Sequence, residues 1–277
     1  MGLNRVCNMF SQRTLIFMLL AVFMVENCSA FTTVFSRRNR IDNINALTME
    51  QKAKILNLAD YKKGVLHRDC RALNRLQDKP SGIYVIKPSG SVPFVVYCDM
   101  DTEGGGWVVL QRVSKQSNIQ FANHWSTYKH TFGDVEDDYW LGNEYIHLIT
   151  QHVHYEVKFV IVSKSERVEV NYTSFTVEDE NNKYKLRLGA PIGGSVSYDI
   201  LSNASKDECS DNMMFSTSDQ DNDRDVTRNC AAEFGGGWWF NKCSSVIFND
   251  KQIRWPGICD DCLNATILIR PSFVNCL

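Results

Sequence analysis

The stretch Phe94-Val95-Val96-Tyr97-Cys98-Asp99-Met100-Asp101-Thr102-Glu103-Gly104-Gly105-Gly106-Trp107 decides how the rest of the chain is read. β-branched and aromatic residues lead into a cysteine, an acidic segment follows, and three glycines turn the backbone into Trp107, where a second strand can begin. Upstream, Ile83-Tyr84-Val85-Ile86 and the turn Pro88-Ser89-Gly90-Ser91 supply the hairpin partner of Phe94–Tyr97. Downstream, Trp107–Val113 is the next strand. Tyr155, Val157, Phe159 and Ile161 then alternate with Glu156 and Lys158, and Val168, Val170 and Tyr172 with Arg167, Glu169 and Asn171. Tyr184, Leu186 and Leu188 alternate with Lys185 and Arg187. Period-two alternation of this kind predicts half-buried strands in an antiparallel meander. The best helical segment is Asn143 to Gln151. Beyond about residue 190 the pattern fades into Gly, Asp, Asn and Cys, and no internal repeat occurs.

Composition sets the frame. The 277 residues are 44% hydrophobic, enough for a substantial core and too much for a disordered or collagen-like protein. The formal charge of −2 offers no excess of cations to neutralise a phosphate backbone, which argues against nucleic acid as partner. Arg5 and Arg13 form a basic segment ahead of the uninterrupted apolar run Leu15 to Val25, and Cys28-Ser29-Ala30 follows with small residues. As a helix that run reaches about 16 Å, short of the ~30 Å hydrocarbon core. Residues 1–30 therefore read as a signal peptide cleaved after Ala30, the mature protein as secreted, and membrane insertion is not expected.

Secretion would remove Cys7 and Cys28 and leave Cys70, Cys98, Cys209, Cys230, Cys243, Cys259, Cys262 and Cys276. An even set in an oxidising compartment reads as disulfides, in any of 105 connectivities. Sequons at Asn171, Asn203 and Asn264 mark glycosylation sites. Residues 31–69 carry neither Cys nor Trp and open with Arg37, Arg38 and Arg40, a solvated cluster or a processing site. Thr48 and Gln51 have capping-box spacing, and Leu47, Ile55, Leu56 and Leu58 make a partial apolar stripe. The expected organisation is a leader or linker over 31–69 with one short helix, a globular domain over 70–271, and a tail over 272–277.

Several motifs occur in fixed order: Asp69-Cys70, Ser81-Gly82-Ile83-Tyr84, Val96 to Thr102, Gly104-Gly105-Gly106-Trp107, Trp140-Leu141-Gly142-Asn143-Glu144 with Ile146-His147, Phe215-Ser216-Thr217 before an Asp ladder, Asn229-Cys230-Ala231, and Gly237-Trp238-Trp239-Phe240 with Cys243. The set resembles the fibrinogen-related (fibrinogen C-terminal) domain family, which includes fibrinogen globules, ficolins, tachylectins, tenascin ends and angiopoietin-like proteins. The resemblance implies an α+β fold: a central antiparallel sheet with short helices, and a loop-rich C-terminal part stabilised by disulfides and calcium. It also implies the bridges Cys70–Cys98 and Cys230–Cys243, and leaves the pairing of Cys209, Cys259, Cys262 and Cys276 open.

Asp219-Gln220-Asp221-Asn222-Asp223-Arg224-Asp225 places four carboxylates at alternate positions. Like charges so close repel unless screened, and Ca²⁺ seeks six to eight oxygens, so the run is either a calcium loop or a solvated acidic surface. It is not an EF-hand, because Arg224 and Cys230 stand where Gly and Glu would be needed. The resemblance assigns calcium, with side chains from Asp221 and Asp223 and backbone carbonyls near Asp225 and Thr227. It also places an acetyl-binding pocket at Phe234, Trp238, Trp239, Phe240, Cys243 and Ser244. Many relatives carry His where this protein has Ser244, and the segment from Ser245 to Ile267 is shorter than usual, so this pocket departs from the family pattern. Paired tryptophans also have core packing as an ordinary role.

No nucleophile elbow, phosphate loop or HExxH occurs. Cys259-Asp260-Asp261-Cys262 has redox-motif spacing without the βαβ context and reads as a structural bridge. The expectation is a non-enzyme: a secreted, calcium-dependent, lectin-like module for glycan or acetylated ligands in innate defence, working as a homo-oligomer through avidity. The alternative is an angiopoietin-like ligand of a protein receptor or of extracellular matrix.

Overall fold

In the computed structural model the hairpin of Gly82–Ile86 (β1) and Phe94–Asp99 (β2) forms as the sequence predicts, with Ile83 opposite Tyr97 and Val85 opposite Val95. The structure describes residue 44 and residues 47–74, 79–194, 199–202, 207–244, 246–250 and 252–272. The signal segment 1–30, Arg37–Arg40, Asn203, Cys276 and all of the tail except Ser272 lie outside them.

Trp107–Ser114 (β3) pairs with β2, and short strands Phe132–Gly133 (β4) and Tyr139–Trp140 (β5) branch from β3. Tyr155–Val162 (β6), Arg167–Val177 (β7), Leu186–Leu188 (β8) and Pro191–Gly194 (β9) continue the sheet. The expected simple meander is corrected at its centre. Asn264–Pro271 (β10) inserts between β3 and β6, giving the order β1-β2-β3-β10-β6-β7-β8, antiparallel throughout. Ala265, Ile267 and Ile269 of β10 are buried on the same face as Val157, Phe159 and Ile161 of β6 and Val168, Val170 and Tyr172 of β7. That face is the core.

The opposite face is polar and neutralises itself. Lys158 is 1% exposed, with Nζ 2.6 Å from both Glu103 and Glu169 and 5.3 Å from the Trp107 ring centroid. Arg270 lies 4.2 Å over the same ring and pairs with Glu156 at 2.8 Å. Burial opposes ionisation of Glu169, but the hydrogen bond and charge of Lys158, with Arg167, outweigh it and lower the carboxyl below its usual range. In register, Asn171 of β7 and Asn264 of β10 share this outer face, since they lie opposite Lys158 and Val162 of β6.

Met49–Leu277 forms one compact unit. Within 47–69, the described continuous part of the expected leader, the chain forms two short helices, Met49–Ala53 (α1) and Leu58–Lys62 (α2). Asn57 separates them because its side chain bonds both backbone groups of Val85, each at 2.8 Å, while Leu56 N donates to Ile83 O. Cys70–Asn74 (α3), Trp125–Lys129 (α4), Asn143–Thr150 (α5) and Cys230–Glu233 (α6) complete the described helices.

The loop-rich half is held by rings and bridges in place of regular structure. Trp140, Phe215 and Trp239 pack with centroids 5.3–6.0 Å apart, Trp238 continues to Phe248, and Phe248 and Trp255 reach Phe159 of the sheet. Large rings supply much apolar burial per residue, which a segment poor in strands requires. Disulfides join Cys70 to Cys98 and Cys230 to Cys243, as the resemblance implied, and Cys259 to Cys262, which spacing alone had left open.

Candidate functional site

The acidic run is pinned at both ends. Asp219 Oδ1 accepts from Trp125 N at 2.9 Å and from Thr217 Oγ1 at 2.7 Å, which ties the loop to the start of α4. Burial resists ionisation of Asp219, yet these donors and His124 lower its carboxyl overall. At the other end Asp225 accepts from Thr227 N and Oγ1 and from Arg228 Nε and Nη2. The Thr227 hydroxyl and backbone N–H, then Arg228, bring the Asp225 carboxyl down to about 2. Asn229 caps α6 by accepting from Ala232 N at 2.8 Å.

Between these ends Asp221 and Asp223 are treated differently. Asp223 accepts from Asp225 N at 2.8 Å and Cys230 N at 2.9 Å, and Asp223 N in turn donates to Asp221 Oδ1 at 3.2 Å. Burial, aided by the adjoining Asp221 charge, nevertheless holds the Asp223 carboxyl above its usual range. No Lys, Arg or His side chain of the described residues pairs with either carboxylate. Two adjacent carboxylates with no direct ion pair are a donor set that suits a hard cation such as Ca²⁺. The other oxygens would have to be backbone carbonyls or water, because no three His, Cys, Asp or Glu side chains converge among the described residues. Asp225, already matched by Arg228, has no such need.

Cys230–Cys243 joins this loop to the segment proposed as a pocket, and Arg224 N donates to Asn241 O at 2.8 Å. Within that segment the residues part company. Trp238 and Trp239 are buried, and their indole N–H groups donate to Ser210 Oγ and Tyr184 O. Phe240, Cys243 and Ser244 are buried as well, and Cys243 holds φ at 61°. Only Phe234 is half-exposed, stacked on Phe240 with centroids 6.0 Å apart. Of the aromatic residues expected to line an open pocket, Trp238, Trp239 and Phe240 are thus buried in the core.

The open space lies beside them, at residues that no motif had marked. A cleft of about 490 Å³ runs between the loop Ser114–Ala122 and the pair Gly235 and Asp250. It combines Lys115 and Asp250 with hydroxyls of Ser114 and Ser117 and apolar surface of Ile119 and Phe121. Next to the lining residues Gly235 and Asp250 the backbones approach closely: a Cβ on Gly236 would stand 1.8 Å from Asn249 O. Asn249 Nδ2 donates to Gly237 O at 2.5 Å, and Gln111 Nε2 donates to Asn249 Oδ1. The triple glycine after Phe234 is the signal that could have marked this approach.

Of the sequons, Asn171 and Asn264 are half-buried on the outer sheet face, and the Oδ1 of Asn171 is enclosed without a hydrogen-bond partner.

A disulfide-bridged α+β globe with one central antiparallel sheet is the class that these observations define. The profile of the C-terminal globular domain of fibrinogen beta and gamma chains matches residues 66–258, and the protein belongs to that family. β10 lies beyond the matched stretch. A fibrinogen-like protein 1-like protein of Gallus gallus is 44% identical over 196 residues, which cover 70% of this chain and 68% of that one. The fibrinogen-like globe of human ANGPTL6 is 29% identical, with a TM-score of 0.66 over 74% of this chain and 95% of that one. Lamprey fibrin D-dimer, solved with the peptide Gly-His-Arg-Pro-amide, has a TM-score of 0.68 over 95% of this chain and 94% of that one, and at 22% identity shares the fold alone.

Proposed function

We propose that the protein is a secreted, non-enzymatic recognition module that binds a protein or peptide partner at the loop-rich end, with calcium ordering the acidic loop. The observation that carries this reading is the contrast between buried Trp238, Trp239, Phe240 and Ser244 and the open cleft beside Gly235. A cleft of this volume lined by charged, hydroxyl and apolar side chains suits a polypeptide better than a single acetyl group. Angiopoietin-like and fibrinogen-like relatives agree with it. Asp221 and Asp223 would hold the ion, which would stiffen the loop bonded to Cys230 and so to the Phe234 turn. The apolar run ahead of Ala30 supports export, and no helix among the described residues is long and apolar enough to cross a membrane. Linked copies would raise avidity at the loop-rich end.

The second reading, a lectin for acetylated glycans in innate defence, is favoured by half-exposed Phe234 beside the acidic loop. Binding of the secreted protein to intact cells separates the two. The first reading predicts saturable binding that protease treatment of the cells removes and free N-acetyl sugars leave unchanged. Retention on acetylated resin in calcium, with elution by N-acetylglucosamine, would replace it with the second.

A further inference from the structure

We propose that Cys259–Cys262 is a thiol–disulfide exchange site, opened by a dithiol reductant under conditions that leave Cys70–Cys98 and Cys230–Cys243 closed. Accessibility separates the three bridges. Cys70, Cys98, Cys230 and Cys243 are at most 5% exposed, and Cys262 is fully buried, whereas Cys259 is half-buried at the surface. Exchange needs a thiolate to reach one sulfur, so Cys259 is the point of attack and Cys262 the leaving group.

Charge and loop length favour the same bridge. Asp260 and Asp261 lie between the cysteines, but Asp260 is paired with Arg254 at 3.2 Å and Asp261 with Lys115. An incoming thiolate thus meets compensated carboxylates. The bridge spans a sequence separation of 3, against 28 and 13 for the others, so it restrains the unfolded state least and its opening leaves the fold intact.

In the exchange, a reductant thiolate bonds to Cys259 Sγ as the Cys259–Cys262 bond breaks. The electron pair leaves on Cys262, which takes a proton from water. The second thiol of the reductant then attacks the mixed disulfide, releases Cys259 as a thiol and closes the reductant's own disulfide. Two electrons pass from the dithiol to the bridge.

Opening would act on a defined turn. Trp255 N donates to Cys259 O at 2.9 Å and Cys259 N to Trp255 O at 3.0 Å, while Cys262 N donates to Ile253 O at 2.8 Å. From there paired backbone bonds between Arg254 and Ile247 lead to Phe248, Asn249 and the cleft wall at Asp250. Loosening this turn would free the wall, an effect that rests on the proposed recognition role of the cleft. The exchange itself does not rest on that role.

The test uses the intact oxidised protein with graded dithiothreitol, trapping of new thiols by a maleimide, and peptide mass spectrometry that reads each cysteine separately. Cys259 and Cys262 are expected to label at least about tenfold faster than Cys70, Cys98, Cys230 and Cys243. Tryptic cleavage after Arg254 should appear together with that label, and a C259A/C262A variant should be cut there without reductant. Similar labelling rates at all three bridges, or earlier opening of Cys230–Cys243, would overturn the proposal. Selective reduction with no change in partner binding would keep the exchange site and remove only its link to recognition.

Discussion

Asn249→Ala isolates what holds the cleft wall in place. The Asn249 side chain gives Nδ2 to Gly237 O and receives Gln111 Nε2, and both side chains are buried. Gln111 Oε1 already lacks a partner, so truncating Asn249 leaves the whole Gln111 amide and the Gly237 carbonyl unsatisfied. At about 1–3 kcal/mol for each of the two newly orphaned groups, the expected loss is about 2–6 kcal/mol. For a domain of this size that corresponds to a fall in Tm of roughly 4–24 °C. Gln111→Leu alone orphans Asn249 Oδ1, whereas in the double variant that acceptor is absent. The double variant should therefore cost less than the sum of the singles, by about 1–2 kcal/mol. Urea unfolding of the oxidised protein, with unchanged m-values, reads all four corners of the cycle. A loss under about 0.5 kcal/mol for Asn249→Ala, or strict additivity, would refute the reasoning.

Gly236→Ala forces a Cβ to within 1.8 Å of Asn249 O, so the two backbones must separate, and thermal melting should show a loss of about 2 kcal/mol or more. Lys158→Met leaves Glu169 and Glu103 facing each other without their shared ammonium and should cost about 3 kcal/mol in urea unfolding. Glu169 is lowered in the folded state, so its contribution is full above the ordinary Glu value near 4.3 and is lost as pH falls through the folded value. Between pH about 5 and 3 the wild type should therefore lose Tm more steeply than Glu169→Gln, and parallel curves would exclude this pair as the source.

The first half of the sheet was legible because one of its faces is dry. Val157, Phe159 and Ile161 alternate with Glu156 and Lys158, and only a strand puts those sets on opposite sides. β10 was hidden for the opposite reason. As a central strand it buries Leu268 as well as Ile267 and Ile269, so alternation is lost, and its first residues read as a sequon. Tyr184 fits the β8 pattern by spacing, yet φ of 48° takes it out of the strand to hydrogen-bond Glu144 and receive the Trp239 indole. At the candidate site the acidic ladder was visible in sequence, but not its division of labour, because the Arg228 clasp on Asp225 depends on how the loop closes. The cleft was invisible: its walls come from residues 114–122, 235 and 250, which only the fold brings together.

The most direct test is the melting temperature of the oxidised protein in calcium and in EDTA, for wild type and Asp223→Asn. With calcium at about 100-fold over its Kd, linkage adds about 2.7 kcal/mol, a rise of roughly 5–10 °C for the wild type. Asp223→Asn should show little of that rise, whatever its own stability in EDTA. A wild-type Tm that is the same in calcium and in EDTA would contradict the account.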